Sequence, residues 1–324
     1  MNVTRRSFLR CCAATAAALG LTPTALRQLE AALGSGQTPT LLWLHGSGCQ
    51  GDSISFLNLF ADIPPAGQLT VGDVLLDQIN LAYHTVLMTA AGPTAVGIAK
   101  QTQEQGGYVL VLEGGVPTAF AGNACIVWSD ERGAVTYQQA IEKLVHSAVA
   151  VLSVGTCACY GGIVASGPDP FESNPTDVVS ATSYVRQLSP DKPVINIPGC
   201  PAHPAWVAWA VVQLILGNTP VLDGYLRPVE LFGNKDLDLL AMNIHEHCPR
   251  NPKLPGNLDL ASQFGQDYRC LEQLGCRGPN TYADCPLRKW NNGEQGPANW
   301  CVDSNGMCIG CVEPDFPGGD FYAS

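Results

Sequence analysis

Between about residues 38 and 220, short apolar runs of strand character alternate with longer segments whose apolar residues recur at helical spacing. The runs LLWL (41–44), YVLVL (108–112), VAVLSV (149–154) and VINI (194–197) read as strands, and each leads into glycine or proline. Segments 72–82, 138–149 and 203–216 have the length and spacing of covering helices, with weakly marked caps. Strands and helices in alternation predict an α/β fold around an open parallel sheet. After about residue 220 the texture changes. From His245 to Cys311 the chain is dense in Cys, Pro, Gly and Asn and has little periodicity. Such a segment buries little apolar surface by itself and calls for disulfides or metal centres as staples. The expected organisation is a leader over 1–35, an α/β domain over 36–220 and a small irregular domain over 221–324.

Composition narrows the function. A chain of 324 residues with 46% hydrophobic content can form a large core, and its formal charge of -11 disfavours nucleic acid or an anionic membrane surface as partner. A protein partner fits better. The N-terminus MNVTRRSFLRCCAATAAALGL pairs Arg5 and Arg6 ahead of an alanine-rich apolar run, which resembles a Tat export signal; an amphipathic cytosolic helix is the alternative. Without residues 1–35 the chain carries 13 basic against 27 acidic side chains, or -14. No later apolar run is long enough to span a bilayer, so no C-terminal transmembrane anchor is expected.

The chain has fourteen cysteines, of which Cys11 and Cys12 lie in the leader. Cys49, Cys157 and Cys200 each follow the carboxyl end of an expected strand. Those ends share the edge of an open parallel sheet where ligands bind, and Asp52 adds a carboxylate from the loop of Cys49. Buried cysteines are the plain alternative for Cys157 and Cys200, and capping of a helix beginning near Ser53 is the alternative for Asp52. A second group joins His245 and Cys248 of IHEHCPR to Cys270 and Cys276, with His247 as a competing ligand and structural zinc as a competing chemistry. The third group is Cys285, Cys301, Cys308 and Cys311, whose C-x-x-C pair and nearby prolines suit a four-iron cubane or a zinc ribbon. Disulfides compete for the whole set in an exported chain. Ten cysteines with Asp52 and His245 make three sets of four, leaving Cys125 and Cys159 as buried thiols.

Taken in order, LHGSGC, LAYHTVLMTAAG, VLEGGVP, GTCACYGG, INIPGCP, IHEHCPR, LGCRGPNTYADCP and CIGCVEPDF resemble the small subunit of nickel-iron hydrogenases over nearly the whole chain beyond the leader. The resemblance implies a flavodoxin-like domain with a proximal 4Fe-4S cluster on Cys49, Asp52, Cys157 and Cys200. It also implies an irregular domain with a medial cluster on Cys285, Cys301, Cys308 and Cys311 and a distal one on His245, Cys248, Cys270 and Cys276. Asp52 departs from the family's usual cysteine. Cys301 stands where many relatives have proline and a 3Fe-4S cluster, so a 4Fe-4S medial centre is expected. Gly51 and Ala165 stand where the six-cysteine proximal cluster of the oxygen-tolerant subclass has its extra cysteines.

The implied function is electron relay from hydrogen oxidation at a nickel-iron centre in a separate large subunit, with no catalytic residue in this chain. A cytochrome or quinone-linked acceptor is the expected outlet, and a dimer of heterodimers is compatible with the reading. The expected location is periplasmic or peripheral to the membrane after Tat export. Glu113 is a candidate hydrogen-bonding residue near the proximal site or subunit interface, with a solvated loop carboxylate as the alternative. Competing readings of the whole chain are an iron-sulfur subunit of a related quinone-linked complex and a disulfide-rich exported binding protein.

Overall fold

The computed structural model describes residues 39–58, 79–166, 174–233, 243–290 and 299–318. Five strands form one parallel sheet: β1 (Thr40–His45), β2 (Asn80–His84), β3 (Val109–Glu113), β4 (Ala150–Val154) and β5 (Val194–Ile197), in the order β2-β1-β3-β4-β5. The chain first builds outward from β1 to β2, then crosses back to β3 and builds the other way. The switch between β1 and β3 opens a crevice at their carboxyl ends, where His45 lies in register with Glu113.

Alternation along the strands divides the core in two. Leu41, Trp43, Val109, Val111, Leu152, Val154, Ile195 and Ile197 face one side and pack with Phe56 of α1 (Gly51–Leu57) and Trp206, Val207 and Ala210 of α6 (Pro204–Ile215). Leu42, Leu44, Leu110, Leu112 and Val151 face the other. There they meet Ala95 and Ala99 of α2 (Gly92–Gln105), Ile141 and Leu144 of α3 (Tyr137–Leu144), and Val185 of α5 (Ala181–Leu188). A sheet covered on both faces needs apolar residues at every position, hence the continuous apolar runs.

The four expected strands and the helices near 138–149 and 203–216 are present; α3 is shorter than expected because the chain turns toward β4 after Leu144. Its start carries a full capping box, Thr136 with Gln139, so this cap is stronger than expected. The expected helix over 72–82 needs correction: its first residues lie outside the described ones, but Asn80–His84 is edge strand β2. Pairing with β1 outweighs the helical spacing there. The leader also lies outside the described residues.

Beyond the sheet, residues 243–290 and 299–318 hold only single helical turns and isolated bridges, seated on the face that carries α6. Polar ties join them to it. Trp206 Nε1 donates to Asp284 Oδ1 at 2.8 Å. Arg227, fully buried, pairs with Asp223 at 2.8 Å and with Glu313 at 3.3 Å, so its charge is compensated from both parts of the chain.

Candidate functional site

The first donor set lies at the switch point. β1 runs out through a glycine-rich turn that places Cys49 on the surface, and Gln50, at φ 58°, starts α1 without a side-chain cap. Glu113 supplies the missing cap from β3. Its Oε1 accepts from the N–H groups of Asp52 and Ser53 at 3.1 and 3.0 Å, and its Oε2 accepts from Trp43 Nε1 at 2.9 Å and from the Ser53 hydroxyl. At 2% exposure Glu113 is no solvated loop carboxylate.

Asp52 therefore does not cap α1. Its side chain reaches across the crevice, where Oδ1 accepts from Ala202 N–H at 2.7 Å and the carboxylate lies so close to Gly155 that a Cβ there would overlap it. Gly155 begins α4 (Thr156–Tyr160), which carries Cys157, and Ala202 follows Cys200. Cys49 Sγ lies about the Gly51–Pro201 corner. The four predicted donors thus converge. Burial, reinforced by the charge of Glu113 and opposed by Ala202 N–H, raises the Asp52 carboxyl to about 7. Burial, opposed by the Val164 N–H and reinforced by the charges of Asp52 and Cys49, pushes Cys157 up to about 11, and burial reinforced by the charges of Cys157, Asp52 and Cys49 pushes Cys200 up to about 12. Desolvated acids crowded together are stabilised as anions by a cationic iron group, so the donor set fits one.

The second set lines a cavity of about 180 Å³ that contains Cys285, Cys301, Cys308 and Cys311 together with Trp290, Trp300 and Cys200. One water needs only about 10–15 Å³, and a lone tetrahedral zinc ion needs no cavity at all, so the space suits a polynuclear group. Burial raises all four thiols, Cys308 to about 12 and Cys285 and Cys311 well above their usual value.

His245, Cys248, Cys270 and Cys276 line the third, smaller pocket, of about 10 Å³. Asn243 Oδ1 accepts from His245 N–H at 2.8 Å and Asn251 Nδ2 donates to His245 O at 3.0 Å, which fixes the turn and selects His245 over His247 for the pocket. A four-iron group requires these donors to spread. Glu272, not among the expected ligands, stands 3.8 Å from His245 Nδ1 and joins Cys270 around the same point; its only sequence signal is its place two residues after Cys270.

The sets adjoin. Cys200 of the first lines the second cavity, Cys308 of the second lines the third pocket, and Arg277 N–H, next to Cys276, donates to Cys308 O at 2.8 Å. All twelve described cysteines are free thiols, so no disulfide staples the described residues. Cys159 is buried as expected, whereas Cys125 is only half-buried.

Two family models match the chain: NADH ubiquinone oxidoreductase, 20 Kd subunit, over residues 49–214, and the C-terminal part of the NiFe/NiFeSe hydrogenase small subunit, over residues 241–322. The periplasmic [NiFeSe] hydrogenase small subunit of Desulfomicrobium baculatum is 37% identical over 100% of both chains. The periplasmic [NiFe] hydrogenase small subunit of Solidesulfovibrio fructosivorans is 33% identical over 97% of this chain and 90% of its own. The structure of H2-activated Dm. baculatum [NiFeSe]-hydrogenase superposes with a TM-score of 0.73 at 36% identity, covering 89% of this chain and 99% of that one. The first family model is shared with quinone-linked enzymes, but the second falls on the region that holds the second and third donor sets. The chain belongs to the NiFe/NiFeSe hydrogenase small subunits, iron-sulfur electron-relay partners of a large subunit that holds the hydrogen-splitting site.

Proposed function

We propose that this small subunit holds three 4Fe-4S clusters: proximal on Cys49, Asp52, Cys157 and Cys200, medial on Cys285, Cys301, Cys308 and Cys311, and distal on His245, Cys248, Cys270 and Cys276. The observation that carries this reading is the shared walls, Cys200 between the first and second sites and Cys308 between the second and third. Such clusters, when bound, supply one-electron carriers. The chain's part is to hold them in line, bury the middle one and bring the last toward the surface with a neutral imidazole in place of one thiolate. The division into an α/β domain over 36–220 and a cluster domain over 221–324 goes with this reading.

The large subunit would cover the proximal edge. Ile54 beside Asp52, Phe120 after β3 and Ile163 after α4 are exposed apolar side chains on elements leaving the same sheet edge, at 62%, 70% and 52%. Exposed apolar groups clustered on one edge favour a protein partner there. Hydrogen uptake with a cytochrome or quinone-linked acceptor, and Tat export through Arg5 and Arg6 to the periplasm, complete the proposal. No helix among the described residues is long and apolar enough to cross a membrane. The test is anaerobic purification of the complex with its large subunit and counting of metals in the small subunit. Three four-iron clusters give roughly twelve irons and no zinc. Roughly eight irons and one zinc would remove the distal assignment, whereas roughly eleven irons with a 3Fe-4S signal would remove the medial one.

A further inference from the structure

Thr156 is the first residue of α4, directly before Cys157, and is almost wholly buried. Its N–H donates to Gly199 O at 2.9 Å, and its Oγ1 accepts from Gly199 N–H at 2.9 Å. That reciprocal pair binds it to the residue directly before Cys200. The remaining hydroxyl proton is donated to the backbone carbonyl of Cys311. One small side chain therefore ties together the loop of Cys157, the loop of Cys200 and the loop of Cys311, two from the first donor set and one from the second. Cys200 N–H also faces the Cys311 sulfur. A threonine hydroxyl has one proton to give and lone pairs to receive, and both capacities are used across the seam.

We propose that Thr156 is a positioning residue that fixes the first donor set against the second, so that one electron passes between the groups they hold without either loop rearranging. This rests on the ligand assignment proposed above. The electron leaves the proximal group and is gained by the medial group, while the hydroxyl proton stays on Thr156 Oγ1. Starting α4 would by itself use neither the Thr156 N–H, which has no acceptor within the helix, nor the hydroxyl.

The experiment uses the purified heterodimer with the wild-type small subunit, Thr156→Val or Thr156→Ser. Three readouts are followed: iron per chain, the magnetic interaction between the proximal and medial clusters by electron paramagnetic resonance, and hydrogen exchange at the Gly199 amide. In Thr156→Val the expected result is unchanged iron and separate cluster signals, a weakened interaction, and Gly199 exchange faster by about fivefold to tenfold, the factor that loss of one hydrogen bond carries. Thr156→Ser restores both. Wild-type interaction and exchange in Thr156→Val overturn the proposal, as does failure of serine to rescue. If Thr156→Val loses its iron, Thr156→Ser decides: wild-type iron, interaction and exchange support the hydroxyl's role, and their loss overturns it. A wild-type protein lacking the proximal and medial signals refutes the ligand assignment instead, so the two failures are separable.

Discussion

The Oδ1 atom of Asp52 accepts a hydrogen bond from Ala202 N–H at 2.7 Å, across 150 residues of sequence. That bond orients the side chain through Oδ1 and leaves Oδ2 available for the ligand role proposed above. Carboxylate is a harder, poorer donor to iron than thiolate, so Asp52 should bind its iron weakly and raise the proximal potential. Asp52→Ser is expected to lose roughly one iron of the proximal cluster. Asp52→Cys, which supplies a thiolate, is expected to keep four irons at a lower potential. Iron counting and redox titration of the proximal signal check both, and an unchanged spectrum and potential in Asp52→Ser would defeat the ligand role.

Gly155 makes room for that carboxylate. Its φ of +82° is costly for any side chain, and a Cβ would overlap Asp52 besides. Gly155→Ala should therefore cost about 1–3 kcal/mol in backbone strain and displace Asp52 from the donor set. The expected outcome is folded complex with a depleted proximal cluster. Adding Asp52→Ala should recover part of the stability, by relieving the overlap, without recovering iron. Additive effects in that double-mutant cycle would show that the two residues do not interact.

Glu113 is held by four donors from three residues, Trp43, Asp52 and Ser53. Glu113→Gln preserves shape but turns an NH2 toward groups that are themselves donors. At about 1–3 kcal/mol for each buried donor left unsatisfied, the variant should be less stable by roughly 2–4 kcal/mol. Whichever oxygen the amide replaces, a bond that seats α1 is lost, either the backbone cap or the tie to the Ser53 hydroxyl, so the proximal signal should broaden as Asp52 loses its fixed place. Thermal unfolding of the complex alongside the proximal spectrum tests this, and wild-type values in both would refute the clamp.

The sheet is legible in the sequence because both its faces are covered, so β1, β3, β4 and β5 read as apolar runs ending in glycine or proline. β2 is hidden at the edge, behind a segment with helical spacing. α2, GPTAVGIAKQTQEQ, escapes a reading by periodicity because its second half is almost wholly polar, although Pro93 near its start and Gly106 at its end mark its limits. The cysteines and His245 stand out as candidate donors by their spacing, since donors that share one group must sit on tight turns or at one sheet edge. The groups that hold them do not. Glu113, Thr156 and Ala202 act through partners 43 to 155 residues away, and no local pattern encodes which carbonyl or N–H a side chain will meet.

His203 joins α6 to the chain at Lys289 and should give a pH signature. Its Nδ1 accepts from Ala205 N–H at 3.1 Å, capping α6, so the proton sits on Nε2, which donates to Lys289 O at 2.7 Å. Burial, opposed by the Lys289 carbonyl, lowers its pKa from 6.5 to about 4. Between those values the unfolded chain binds a proton that the folded chain does not. The stability contributed by neutral His203 is therefore complete above about pH 6.5 and is lost as pH falls toward 4, by about 3 kcal/mol at most. His203→Asn keeps an acceptor for the cap but cannot titrate. It should be less stable than wild type at pH 7.5 by about 1–2 kcal/mol, the worth of the lost Lys289 bond and packing, and the gap should close or reverse near pH 4.5. Acid damage to the clusters and titration of His84 occur in both proteins and cancel in the difference. Denaturation midpoints of wild type and variant across this range provide the measurement, and a gap independent of pH would show that His203 is not held neutral.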